Sequence, residues 1–300
     1  MAPTSEDSAS LNLPKQLFIN NQYRGSTHSA TLRVKNPADE SLIADDVPIA
    51  GPSDVDCAVE AAQKAFPGWK AMDSSKRRDI LISFAQLLTK YNSELCSLTR
   101  LTNGRPVSQD FETQHAADTF MYYAGWTDKL QGSTVPLTNG VLSISQYEPF
   151  GVTAGITPWN APIALMAFKA APSLAAGNCF ILKPSEKTPF SSLFLGKLIL
   201  EAGFPAGVFQ ILSGDGSTGE LLANHLGIRK ISFTGSGAAG RKVQIAAAKS
   251  NLKQVTLELG VFWLFPAKLA SPSAASMSKS PSTKHFSSFT EKRWRSGRRA

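Results

Sequence analysis

The feature that most constrains this sequence is a repeat that begins at Pro149. Five short apolar runs, Val152–Ile156, Cys179–Leu182, Val208–Leu212, Lys230–Phe233 and Gln254–Leu257, alternate with helical spacing near Ile163–Ala176, Ser191–Ala202, Ser217–Asn224 and Ala238–Lys249. Parallel neighbours need a long crossover, and a helix of this length supplies one. The pattern therefore predicts an α/β fold, a parallel sheet with helices on both faces. Such sheets bind ligands outside the carboxyl ends of their strands. Functional residues are sought immediately after each run.

The part before Pro149 has a different rhythm. Residues 1–16 read as a flexible start. Gln16–Asn20 and Thr31–Lys35 alternate like edge strands around a turn at Arg24–Gly25. Ser53–Phe66 has helical spacing, with Ser53 followed by Asp56 as its N-cap signal. One long amphipathic helix is predicted over Ser74–Leu101, stopping at Asn103–Gly104, and another over Gln109–Lys129. Val141–Tyr147 alternates as a strand.

Charge excludes one class of function for the body. The chain carries a net charge of +8, but Val261–Ala300 holds eight Lys/Arg and the single acid Glu291. The residues before it balance 23 bases against 22 acids. The basicity belongs to the tail, and a solvated tail is preferred there over a nucleic-acid contact through Arg293, Arg295, Arg298 and Arg299. Cys57, Cys96 and Cys179 are too widely spaced for a zinc site or a disulfide framework. They fit a reducing compartment, and the cytoplasm is expected. The polar N-terminus lacks a signal-peptide pattern, and the apolar stretch Ala161–Ala176 is interrupted by Lys169 and Pro172, so no membrane association is expected.

The strand ends carry the chemistry. The first is followed by Thr157-Pro158-Trp159-Asn160-Ala161-Pro162, where an Asn amide could donate to a developing oxyanion or simply make a turn. After the second come Lys183-Pro184-Ser185-Glu186; a Lys and a Glu can clamp ribose hydroxyls or stand in a solvated loop. After the third, Ser213-Gly214-Asp215-Gly216-Ser217 opens a helix, as a phosphate or adenine site or as a plain connection. After the fourth, Gly235, Gly237 and Gly240 form GxGxxG between a strand and a helix, a Rossmann-like context for a dinucleotide. That fingerprint ordinarily lies on the first strand, however, and its ribose acid would here be Glu258.

Taken together, PWNAP (Pro158–Pro162), KPSE (Lys183–Glu186), FTGS (Phe233–Ser236) and LELG (Leu257–Gly260) resemble, in order and spacing, the aldehyde dehydrogenase superfamily. The resemblance spans roughly Leu17–Gly260 and includes FPGW (Phe66–Trp69). It implies oxidation of an aldehyde with NAD, or with NADP. Asn160 would complete the oxyanion hole, and Glu258 would be the general base rather than the ribose acid. Lys183 and Glu186 would bind the adenosine ribose. Gly235 and Ser236 would meet the pyrophosphate, with Gly240 keeping the helix close. It extends the cofactor-binding set to Ile156, Thr157, Pro158, Trp159, Ser185, Gly216, Phe233, Thr234 and Leu259. A metal is not implied. For the cofactor, Lys183 tolerates a 2′-phosphate whereas Glu186 repels one.

The resemblance also implies a cysteine nucleophile in a catalytic domain beyond LELG, and homo-oligomers built partly by a hairpin near residues 130–150. No cysteine follows Gly260, and none of the three matches the nucleophile's motif. Residues 17–260 are expected to form the cofactor-binding domain. Residues 261–300, with nine serines and no period, read as a disordered basic tail outside the family pattern. The break reads as a reading-frame shift or a retained intron, with the catalytic domain absent, the chain inactive and oligomerisation doubtful. A nucleotide-binding pseudoenzyme or a module that docks on a partner is the alternative.

Overall fold

The computed structural model describes residues 13–138 and 140–260. The expectations for residues 1–12 and 261–300 lie outside the described residues.

Seven strands form the main sheet: β1 (Leu17–Ile19), β2 (Gln22–Arg24), β7 (Val152–Ile156), β8 (Cys179–Lys183), β9 (Phe209–Ile211), β10 (Lys230–Gly235) and β11 (Gln254–Leu259). Their order is β11-β10-β7-β8-β9-β1-β2. The five strands of the repeat are parallel, as their spacing predicts. β1 and β2 extend the sheet antiparallel. β7 and β8 are buried along their whole length, which is why they read as nearly continuous apolar runs.

The helices between the strands are α5 (Pro162–Ala175), α6 (Pro189–Ala202), α7 (Gly216–Asn224) and α8 (Gly237–Lys249). Before them come α1 (Pro52–Ala71), α2 (Ser74–Lys90), α3 (Asn92–Asn103) and α4 (Glu112–Ala124). α1 packs on β7 and β8 with α7 beside it, and α8 covers β10 and β11. α5 covers the other side of β7 and β8 and packs on α6, with α2 and α4 behind. A ring cluster of Phe84, Phe120, Phe204 and Phe209 ties these layers together, with Phe84 and Phe120 centroids 4.8 Å apart.

Several sequence expectations are corrected. The predicted long helix is broken at Tyr91 into α2 and α3. Tyr91 packs edge-on against Phe194 and bonds Glu201, so tertiary contacts override the local pattern. α1 is capped by Gly51, not Ser53; the carboxylate of Asp54 accepts from the Gly51 N–H at 3.0 Å and from the Ser26 hydroxyl. Pro52 in the first turn loses no hydrogen bond there. The helix predicted over Gln109–Lys129 is shortened to α4, after a single turn at Val107–Gln109. β1 is no edge strand: it is fully buried between β2 and β9. β3 (Thr31–Lys35) pairs instead with β4 (Leu42–Pro48). Within the expected flexible start, Leu13 packs on the core and Lys15 pairs with Asp46. The alternating segment forms β6 (Val141–Ser145), paired with β5 (Ser133–Thr138) in a separate hairpin.

The parallel order reverses between β7 and β10, because the chain runs outward through β8 and β9 and then returns to the other side of β7. That is the switch point at which open α/β sheets leave a crevice for ligands.

Candidate functional site

The strand register brings the sequence motifs into one row. Ile156 lies opposite Lys183 on one side and Phe233 on the other. Thr234 lies opposite Glu258, and Gly235 opposite Leu259. The parallel ladder runs one residue further than expected in β8 and two further in β10 and β11. Lys183, Thr234, Gly235, Glu258 and Leu259 are therefore strand residues, held by backbone rather than on loops.

Lys183 is almost fully buried, with its ammonium donating to the Pro184 carbonyl at 2.9 Å. Desolvation pulls its pKa down to about 8, opposed by the nearby Glu186 and Asp215 carboxylates. Glu186 and Trp159 are exposed, and the Lys187 ammonium sits 5.9 Å from the Trp159 ring centroid. The Ser185 hydroxyl accepts from the Lys187 N–H at 3.3 Å. Thr157 donates its N–H to the Lys183 carbonyl at 3.1 Å, while its buried hydroxyl has no partner among the described residues. Pro158 and Asn160 are half-buried beside it.

Two helices open onto this row. α7 begins at Gly216, capped by the Asp215 carboxylate, which accepts from the Ser217 N–H at 2.8 Å. α8 begins after Ser236, whose hydroxyl accepts from the Ala239 N–H at 3.2 Å. A Cβ added at Gly216 or Gly237 would meet nothing within 4 Å, so both helix starts face open space. A Cβ at Gly240 would overlap Leu259 Cδ2. The expectation for Gly240 is sharpened: its bare backbone makes room for Leu259, whose side chain remains half exposed. The Phe233 ring covers Gly235 in the same way.

The sequence reading missed three residues that organise the row. Lys169, on α5, is buried and donates to the Thr234 hydroxyl at 2.6 Å. That hydroxyl donates to Glu258 Oε2 at 2.8 Å, and the Lys169 ammonium stands 4.0 Å from the same oxygen. Desolvation lowers the Lys169 pKa to about 8, with Glu258 opposing and Lys230 adding to the fall. Its only sequence signal is that it interrupts an apolar helix. The other two, Arg105 and Glu112, form a buried ion pair. Arg105 also donates to the Asn160 carbonyl, and Glu112 accepts from the Ile163 and Ala164 N–H groups. Among the described residues there is no cluster of His, Cys, Asp and Glu fit to hold a metal, and no helix long and apolar enough to cross a membrane.

The cysteines lie elsewhere. Cys179 is buried at the amino end of β8, four residues from Lys183, which is roughly 13 Å of strand. Burial pushes its thiol up to about 12. Cys96 lies in α3 against Asn92 and Thr113, and Cys57 lies on α1.

A row of strand ends with a buried Lys, an exposed Glu and two open helix starts suits a dinucleotide. The profile of the aldehyde dehydrogenase family matches residues 23–262. This chain belongs to the aldehyde dehydrogenase family.

It is 43% identical over 251 residues to human retinal dehydrogenase 2, covering 82% of this chain and 48% of that relative. It is 43% identical to an aldehyde dehydrogenase of Agaricus bisporus over 263 residues, covering 86% and 52%. Among solved structures it is similar to PnpE in complex with nicotinamide adenine dinucleotide, with a TM-score of 0.79, 41% identity and 83% and 51% of the two chains covered. The chain thus spans about half the length of the curated relatives it matches.

Proposed function

We propose that this chain is the NAD-binding part of an aldehyde-oxidising dehydrogenase. Residues 17–260 act as the cofactor-binding unit, with β5 and β6 as part of an oligomerisation arm. The observation that carries the reading is the register that aligns Ile156, Lys183, Phe233–Gly235 and Glu258–Leu259 at one end of the sheet.

Each residue has a task that its setting supports. Lys183 donates to the adenosine ribose hydroxyls and Glu186 accepts from them. Ser185 and Gly216 border the adenosine. The N–H groups at the start of α8, beside Gly235 and Ser236, meet the pyrophosphate. Ile156, Thr157, Pro158, Trp159, Phe233, Thr234 and Leu259 line the remaining path, and the unpartnered Thr157 hydroxyl offers a further bond. The exposed Glu186 carboxylate would repel a 2′-phosphate, so NAD is preferred over NADP. NAD, when bound, supplies the hydride acceptor. Asn160 donates its amide N–H to the aldehyde oxygen, and Glu258 accepts a proton from the attacking thiol or water.

The nucleophile does not come from Cys57, Cys96 or Cys179. That supports a second reading for the 300-residue polypeptide alone: it binds nucleotide without turning over aldehyde. Three free thiols favour a reducing compartment, and we place the protein in the cytoplasm. An aldehyde is the proposed substrate once a thiol is supplied, with no nucleic acid or membrane partner.

Calorimetric titration of the folded chain with NAD tests the proposal. One-site binding that weakens at least tenfold in Lys183→Met is expected. A folded chain that takes up no NAD would overturn it.

A further inference from the structure

The first turn of α5 has no cap of its own. Its N-cap position is Ala161, which has no side-chain acceptor, and Pro162 follows. The orphan N–H groups are met instead from α4. Glu112 Oε1 accepts from Ile163, and from Ala164 at 3.1 Å. Its other oxygen is held by Arg105, and the same guanidinium donates to the Asn160 carbonyl. Both side chains of the pair are more than nine-tenths buried.

One ion pair thus fixes both the Asn160 carbonyl and the first turn of α5. Gly104 makes this possible by ending α3 in the left-handed region at φ 70°, and the Asn103 side chain then accepts from the Arg105 N–H at 3.0 Å. Burial raises the Glu112 pKa, while Arg105 and the two helix N–H groups pull it back down. The carboxylate also places a negative charge at the positive end of α5. Two of its first N–H groups are therefore spent on Glu112, and carbonyl polarisation falls to the Asn160 side chain, two residues before the helix begins.

We infer that Arg105 and Glu112 are positioning residues that hold the Asn160 amide in the orientation needed to polarise an aldehyde carbonyl. The inference rests on the reading of Asn160 as the carbonyl-polarising residue. Ala161, Ala164 and Leu165 form a small apolar cluster apart from the main core, and the same clamp fixes its place beside Asn160.

The side-chain NH2 signal of Asn160 in asparagine-labelled protein reads this directly. It is assigned by its loss in Asn160→Asp, and is followed in the whole 300-residue chain with NAD present and benzaldehyde as the probe. In the unsubstituted protein one sharp Asn160 pair is expected, shifting on addition of benzaldehyde. Arg105→Met and Glu112→Gln should each move or split that pair and abolish the shift, while the Asn224 signal stays in place. Arg105→Lys should restore a single pair, which a general loss of packing would not do. An Asn160 signal unchanged in Arg105→Met overturns the clamp, as does one equally displaced in Arg105→Lys. If the variants move the signal but benzaldehyde never shifts it in the unsubstituted protein, the clamp stands and the reading of Asn160 falls.

Discussion

The Lys169 ammonium stands 4.0 Å from Glu258 Oε2, with the Thr234 hydroxyl bonded to both. The order of donation is fixed, from lysine to hydroxyl to carboxylate. A group proposed as a proton acceptor is thereby joined through one hydroxyl to a buried cation, which keeps the carboxylate oriented.

Burying that cation costs stability, and the sign can be worked out. The Lys169 pKa is lowered from its ordinary 10.5 to about 8 by desolvation. Below pH 8 both folded and unfolded states carry the proton, and the folded state bears the full cost. Between pH 8 and 10.5 the unfolded chain binds more protons, so this group's contribution to stability improves as pH rises. The full span is on the order of 3 kcal/mol. Lys169→Met should therefore raise the melting temperature at pH 7, with an advantage that shrinks toward pH 10.5. A melting series at several pH values checks this; a variant less stable at pH 7 would refute it.

Gly155 and Gly240 are both crowded, with opposite consequences. A Cβ at Gly155 would overlap the buried Phe180 ring in the middle of the sheet. Gly155→Ala should cost about 1–3 kcal/mol in urea unfolding. A Cβ at Gly240 meets only the tip of the half-exposed Leu259 side chain, which can swing away. Gly240→Ala should leave unfolding within about 0.5 kcal/mol of the parent, while NAD affinity falls. Equal stability losses in the two variants would contradict this contrast.

How much of this was legible in the sequence differs by element. The parallel repeat was readable because β7 and β8 are buried on both faces and so written as apolar runs. The motif positions were readable because helix starts and tight turns demand Gly, Pro and Asn. The Arg105–Glu112 clamp was not readable, since it reaches about fifty residues along the chain and carries no local period. The break at Tyr91 and the burial of β1 depend on contacts with α6 and β9, which no local pattern records. Lys169 was visible only as a charge out of place.

Leu252 adopts φ 54° just after α8 and is 81% exposed. A left-handed leucine that buries nothing is strained to no benefit. Leu252→Gly should stabilise the chain by roughly 1 kcal/mol without changing NAD binding. Thermal melting with and without NAD reads both effects.

Glu186 is exposed just after β8, and we propose that it sets the coenzyme preference. Glu186→Ser should weaken NAD binding while strengthening that of NADP, reversing or levelling the preference in paired calorimetric titrations. A variant that keeps the parent's ratio would remove Glu186 as the discriminating group.

We propose that a dinucleotide lies across the carboxyl ends of β7, β8 and β10. Amide hydrogen exchange of the 300-residue chain, with and without saturating NAD, tests it most directly. Slower exchange is expected in the segments after β7 and β8 and across Ser236–Gly240, with α2 and α3 unchanged. Saturating NAD that leaves those segments unprotected, or protects only segments remote from this row, would contradict it.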